Sequence, residues 1–275
     1  MNENVDTLTG TLSGVAGLSG AISPGQVGGG GDTGDTLSQA YAEGLINATI
    51  TGDSNDAVGL KVENLVIDGP DTVESNAFIR NSYLKSVSSN TVTNIQSGAF
   101  STAQNLESIN FPNATNIQDQ AFLSCPALRS VVLQSCTAFG SSVFSNCASL
   151  ETVALPRYEG ATSGSGTTMF SGCKQLTDIY VPALKYVPKS FLSNCQALQS
   201  LRLPAAEHIQ TQAFSNCISL RDLYLGSSTM CVLEDKNIIT GADISKIHVP
   251  ANLEAAYKAD SKWSAFADKI VGDYA

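Results

Sequence analysis

Phenylalanine recurs along this chain at a nearly fixed step, and nothing else in the sequence constrains the fold as tightly. Phe78, Phe100, Phe122, Phe144, Phe170, Phe191 and Phe214 are separated by 22, 22, 22, 26, 21 and 23 residues. Five of them are followed at plus three or plus four by a cysteine: Cys125, Cys147, Cys173, Cys195 and Cys217. A leucine comes at plus six or seven (Leu84, Leu106, Leu128, Leu150, Leu176, Leu198, Leu220). Three residues on stand Val87, Ile109, Val131, Val153, Ile179, Leu201 and Leu223. The next alternate position is apolar from Phe111 to Leu225, with Ser89 breaking the pattern in the first unit. A further apolar residue lies near plus seventeen, at Ile95, Ile117, Phe139, Val187, Ile209 and Cys231. Self-similarity at this period is the signature of a stacked-repeat architecture.

The L-x-x-L-x-L stretch alternates apolar and polar residues, so it predicts a short strand with one face inward. One unit is too small to bury that face alone, and successive units must share a continuous core. Val62, Leu65, Ile67 and Val73 extend the frame upstream, and Ile244, Ile247 and Val249 extend it downstream. The expectation is an α/β solenoid of about nine rungs over residues 60–250. At ~4.8 Å per strand it forms a rod of roughly 40 Å. The A-F-S-N-C segments are expected to make one or two helical turns on the opposite, convex side. Residues 251–275 read as a helical cap in which Leu253, Ala256, Tyr257, Trp263, Phe266 and Ile270 close the core. Residues 36–59 are a linker, and residues 1–35 are a low-complexity segment rich in Gly, Ser and Thr. Gly28–Gly31 within it reads as a flexible joint.

The A-F-x-x-C-x-x-L-x-x-L-x-L-P consensus resembles the BspA-type leucine-rich repeats of bacterial surface proteins over about 190 residues. The ending KIHVPANLEAAYKADSKWSAFADKI is similar to the terminal segment of such proteins in gut-bacterial phages and prophages. The L-S-G-rich start is similar to N-terminal segments of tail-fibre or virion proteins. The resemblance implies a non-enzymatic recognition protein.

Charge narrows the partners. Against 25 acidic residues stand 15 Lys and Arg, for a net charge of −10. Phosphate recognition needs a basic face, so nucleic acid is disfavoured. The start MNENVDTLTG lacks the positive and apolar regions of a secretory signal, and no apolar run reaches the ~20 residues of a membrane span. Seven cysteines, an odd number, exclude a fully paired disulfide framework. The five repeat cysteines read as a buried structural column, and no close pair suggests zinc. His208 is expected on a solvent-facing turn, and the 157–169 insertion as a surface bulge. No H-E-x-x-H or G-x-S-x-G motif is present, and no catalytic residue, metal or cofactor is expected.

The outward strand positions are small and polar in the first half. In the second half they gather Asp178, Tyr180, Arg202, Arg221, Asp222, Tyr224 and His248 on one strip. Tyr and Arg are enriched where partners bind, although strands favour Tyr in any case. The expected function is therefore a virion fibre protein, reaching the outside by lysis and binding a host-surface protein or glycan through this strip. Residues 1–35 are expected to join other virion subunits or to assemble the chain as a homotrimer. The alternatives are a cell-surface adhesin and an intracellular interaction scaffold.

Overall fold

The computed structural model describes residues 61–161 and 166–274, together with the backbones of the strands Leu8–Gly10, Gly20–Ile22 and Leu45–Ile50. Residues 1–35, on which the assembly expectation falls, residues 36–59, expected as a linker, and residues 162–165 of the expected bulge otherwise lie outside the described residues. Nine strands stack in chain order along one side: Val62–Ile67, Ser86–Ser88, Ser108–Asn110, Ser130–Val132, Thr152–Ala154, Asp178–Tyr180, Ser200–Leu203, Asp222–Leu225 and Lys246–Pro250. Pairing is parallel and in register, so Val131 faces Val153 and Val153 faces Ile179. Leu45–Ile50 pairs parallel with Val62–Ile67, one strand upstream of the expected start at residue 60. Two narrower sheets of two-residue strands run alongside, one from Thr72–Val73 to Ala138–Phe139 and one from Tyr186–Val187 to Val232–Leu233.

The inward positions form columns that no single rung could bury. Phe78, Phe100, Phe122, Phe144 and Phe170 stack face to face, with centroids 5.1 to 5.5 Å apart and planes within 6°. Phe191 breaks the column. It meets Phe170 edge-on at 82°, and Leu192 occupies the slot instead. The backbone settles this assignment. The Leu192 N–H bonds to the Ala213 carbonyl as the Phe100 N–H bonds to Ala121, and the Cys195 N–H returns to Leu192 as Cys147 returns to Phe144. The true steps from Phe170 to Leu192 to Phe214 are then 22 and 22. A further inward column was not expected from sequence: Val92, Ala114, Cys136, Tyr158, Leu184, Ala206 and Cys231 are all buried. Cys231 belongs here, because Leu233 is the residue in register with Ile209. Ser89 is buried in its apolar slot with its hydroxyl accepting the N–H groups of Thr91 and Val92.

Among the described residues the A-F segments on the convex side make none of the expected helical turns, and a single 3₁₀ turn, Asn237–Ile239, follows the last of them. Each A-F segment is a run of tight turns with a left-handed residue two positions before and two after the Phe slot, as at Asn76 and Arg80 (φ 59° and 57°). Alternating the backbone this way points three successive alternate N–H groups at the next rung. Residues 76, 78 and 80 donate to the carbonyls of 97, 99 and 101, and the arrangement repeats down to residues 212, 214 and 216. Non-glycine residues rarely adopt positive φ; Asn76, Asn146, Asn194 and Asn216 are of the type whose short polar side chain tolerates it best, and the others are held there by the inter-rung bonds.

The C-terminal segment closes the core with Tyr257, Trp263 and Ile270, all buried. The Trp263 indole donates to the Cys231 carbonyl at 2.6 Å and the Tyr257 hydroxyl accepts the Cys231 N–H at 2.8 Å. Ala256 is exposed and takes no part. One short α-helix, Glu254–Ala259, is present, but the segment ends as a strand, Ile270–Tyr274, laid parallel on Lys246–Pro250. A purely helical cap would leave the last strand's edge open, and this strand covers it.

Candidate functional site

The outward strip is not one surface. Arg202, Tyr224 and His248 stand opposite one another on adjacent strands and interlock. The Arg202 guanidinium lies 3.9 Å above the Tyr224 ring centroid, and the His248 ring stacks on Tyr224 at 4.2 Å and 7°. His248 is then gripped at both nitrogens: Nδ1 is 2.7 Å from Asp273 Oδ1 and Nε2 is 3.3 Å from Asp222 Oδ1. Tyr274 tilts against Tyr224 at 5.7 Å. His248 was expected to be an exposed contact residue, yet only 8% of it is accessible, because Tyr224 stacks on one side and the closing strand sets Val271 beside it and Asp273 against its ring. Both faces of Tyr224 are occupied. This half of the strip staples three strands together.

Arg221 does not join the strip. Its Nη1 donates to the carbonyls of Ile218 and Asp243 at 2.9 and 3.1 Å, spanning the turn to the next rung. Asp178 and Tyr180 are different again. Tyr180 is 57% exposed, and its in-register neighbour is Ala154, whose methyl group leaves the ring open on that side. Beyond Ala154 stands Val132, 48% exposed. The open part of the strand face therefore runs through Val132, Ala154, Tyr180 and Asp178. Asp273 and Tyr274 escaped the sequence reading because residues 251–275 were treated as helical. The segment IVGDY shows no apolar–polar alternation that would have marked it as a strand.

On the flanking sheet, His208 is exposed as expected and stacks on Tyr186 at 5.1 Å. The repeat cysteines are free and buried. Each thiol donates to the carbonyl of the Phe slot one rung earlier, Cys125 to Phe100 at 3.2 Å and Cys217 to Leu192 at 3.0 Å. Burial pushes the Cys173 and Cys217 thiols up to about 12, and raises Cys147 and Cys195 well above the ordinary thiol value. Such thiols are neutral and unreactive at physiological pH. Among the described residues no cluster of three or more His, Cys, Asp or Glu could hold a metal ion, and no helix is long and apolar enough to cross a membrane.

A parallel-strand solenoid with a broad exposed strand face defines the leucine-rich-repeat class, whose members typically serve as binding scaffolds. Within that class, the chain belongs to the BspA type leucine rich repeat region family, which matches residues 71–183 and 165–259 in six copies. It is similar in fold to a leucine-rich repeat protein from Bacteroides ovatus, with 18% identity and a TM-score of 0.52, covering 84% of this chain and 65% of that one. A leucine-rich repeat protein from Eubacterium ventriosum matches at 21% identity and a TM-score of 0.47, covering 67% of this chain and 60% of that one. The T. pallidum leucine-rich repeat protein matches at 19% and 0.42, covering 84% and 93%. The chain thus spans less than two thirds of the first two. No curated protein matches it at a significant level.

Proposed function

We propose that this chain is a non-catalytic recognition protein that binds a host-surface protein or glycan outside the cell, in the manner of bacterial surface adhesins. The observation that carries the reading is the open row Val132–Ala154–Tyr180, in which two exposed apolar side chains flank a small, half-buried alanine on the strand face. Exposed apolar rows of this kind mark interaction surfaces. The test is attachment of the labelled full-length chain to host cells. Binding that is lost on Tyr180→Ala together with Val132→Ser supports the reading. Undiminished binding by that variant removes it.

A virion fibre displaying the same face is the second reading, favoured by the similarity of residues 1–35 to tail-fibre segments. Mass spectrometry of purified particles decides between them, and light scattering of the full chain tests the proposed trimer.

A further inference from the structure

The main sheet is divided. Register pairing runs unbroken from Leu45–Ile50 to Asp178–Tyr180 and again from Ser200–Leu203 to Ile270–Tyr274, but no ladder joins Asp178–Tyr180 to Ser200–Leu203. The two strands nevertheless lie side by side. On the convex side the same two rungs remain bonded, Phe170 N–H to Phe191 carbonyl at 3.0 Å and Gly172 N–H to Ser193 carbonyl at 2.8 Å. They are bonded behind, while in front the register ladder has a gap between two strands that remain adjacent.

The side chains bordering this gap are chemically complementary. Tyr180 presents an open ring on one lip. On the other lip, Arg202 is pre-oriented by its stack on Tyr224, which His248, Asp222 and Asp273 hold in turn. The stack occupies the guanidinium face and leaves its N–H edge available. Among the described residues, no carboxylate forms an ion pair with Arg202. A fixed guanidinium edge is a fork for a carboxylate. Asp178 and Ser200, one repeat apart and both exposed, add an acceptor and a hydroxyl.

Resting on the recognition reading above, we propose that this gap binds a carboxylate-bearing saccharide. The C–H face of the sugar packs on Tyr180, its carboxylate takes the Arg202 fork, and its hydroxyls bond to Asp178 and Ser200. A polyacidic peptide fits less well. It would bring repeated negative charge beside Asp178 on a chain of net charge −10, whereas an acidic sugar needs one cation and several neutral hydrogen-bonding groups.

The test is calorimetric titration of the full chain with a glucuronate-terminated oligosaccharide, its neutral glucose counterpart and oligoglutamate. The acidic sugar should bind best. Arg202→Gln should weaken it about ten- to a hundredfold, the range of a charged hydrogen bond, and bring it down to the neutral sugar's level. Tyr180→Ala should weaken both sugars. Arg202→Lys, which keeps charge but not the fork, should restore only part of the loss, and an unchanged melting temperature excludes unfolding as the cause. Equal binding of neutral and acidic sugars, preference for oligoglutamate, or no binding at millimolar sugar would overturn the proposal. If cell attachment still depends on Tyr180 in any of those cases, the ligand class is wrong and the recognition reading stands. If attachment ignores Tyr180, the recognition reading itself fails.

Discussion

Tyr180 and Tyr224 occupy the same outward slot two rungs apart, and their surroundings make them opposites. Tyr224 is sandwiched between Arg202 and His248, while Tyr180 has the methyl of Ala154 on one side and the gap in the register ladder on the other. In a solenoid a side chain's role is set by its register neighbours as much as by its own chemistry. The C-terminal end spends its aromatic and charged groups on holding itself closed, and the middle leaves one exposed.

The sharpest way to break this contrast is to remove the closure. Trp263→Ala should destabilise by about 3–5 kcal/mol, because it empties a buried site and strands the Cys231 carbonyl that the indole satisfies. Denaturant unfolding measures it, and a loss under 1 kcal/mol would show that the end is not held there. Next comes alkali. Cys136, Cys173, Cys217 and Cys231 stand at about 12 in the native state, raised from 9.0. Their stabilising contribution is complete below pH 9 and is lost as the unfolded chain ionises first. Each thiol should cost about 1.4 kcal/mol per pH unit between 9 and 12. Cys173→Ala should flatten that slope in a pH-dependent denaturation series.

The direct comparison is a pair of single variants. His248→Ala should cost about 1–3 kcal/mol, since it leaves Asp222 and Asp273 facing each other without their partner. Tyr180→Ala should stay within about 0.5 kcal/mol, as expected of a side chain with little packed around it. Equal losses would erase the distinction between staple and open site. A last pair of variants concerns the Phe column. Leu192→Phe alone should overpack by about 1–3 kcal/mol against Phe191, whereas Phe191→Ala with Leu192→Phe restores the A-F order of the other rungs and should cost less than about 1.5 kcal/mol.

The rung count, the cysteine column and the buried Phe slots were legible because periodicity reports directly on which side chains must share a core. Phe191 shows the limit of that reading. Two adjacent apolar residues could each fill the slot, and only the hydrogen bonds of Leu192 decide between them. The convex turns were illegible for a related reason, since a short A-F-S-N-C segment carries too few residues for a helical period to appear. His248 was placed in its correct outward slot but credited with the wrong environment. What buries it lies 25 residues downstream in Asp273, and alternation within one strand says nothing about what is laid over it.

The one-way bonding of the convex side bears on how the chain comes into being. A rung at residues 76–80 offers three N–H donors whose acceptors, at 97–101, have still to emerge when it leaves the ribosome. Each rung is thus completed only by its successor, and a nascent chain always carries one unfinished face at its growing end. The last such face, at residues 212–216, is answered by the carbonyls of Asn237, Ile238 and Thr240. Residues 237–240 therefore complete the convex ladder ahead of the closing strand Ile270–Tyr274. A chain ending just ahead of them would leave the donors of residues 212, 214 and 216 without their acceptors.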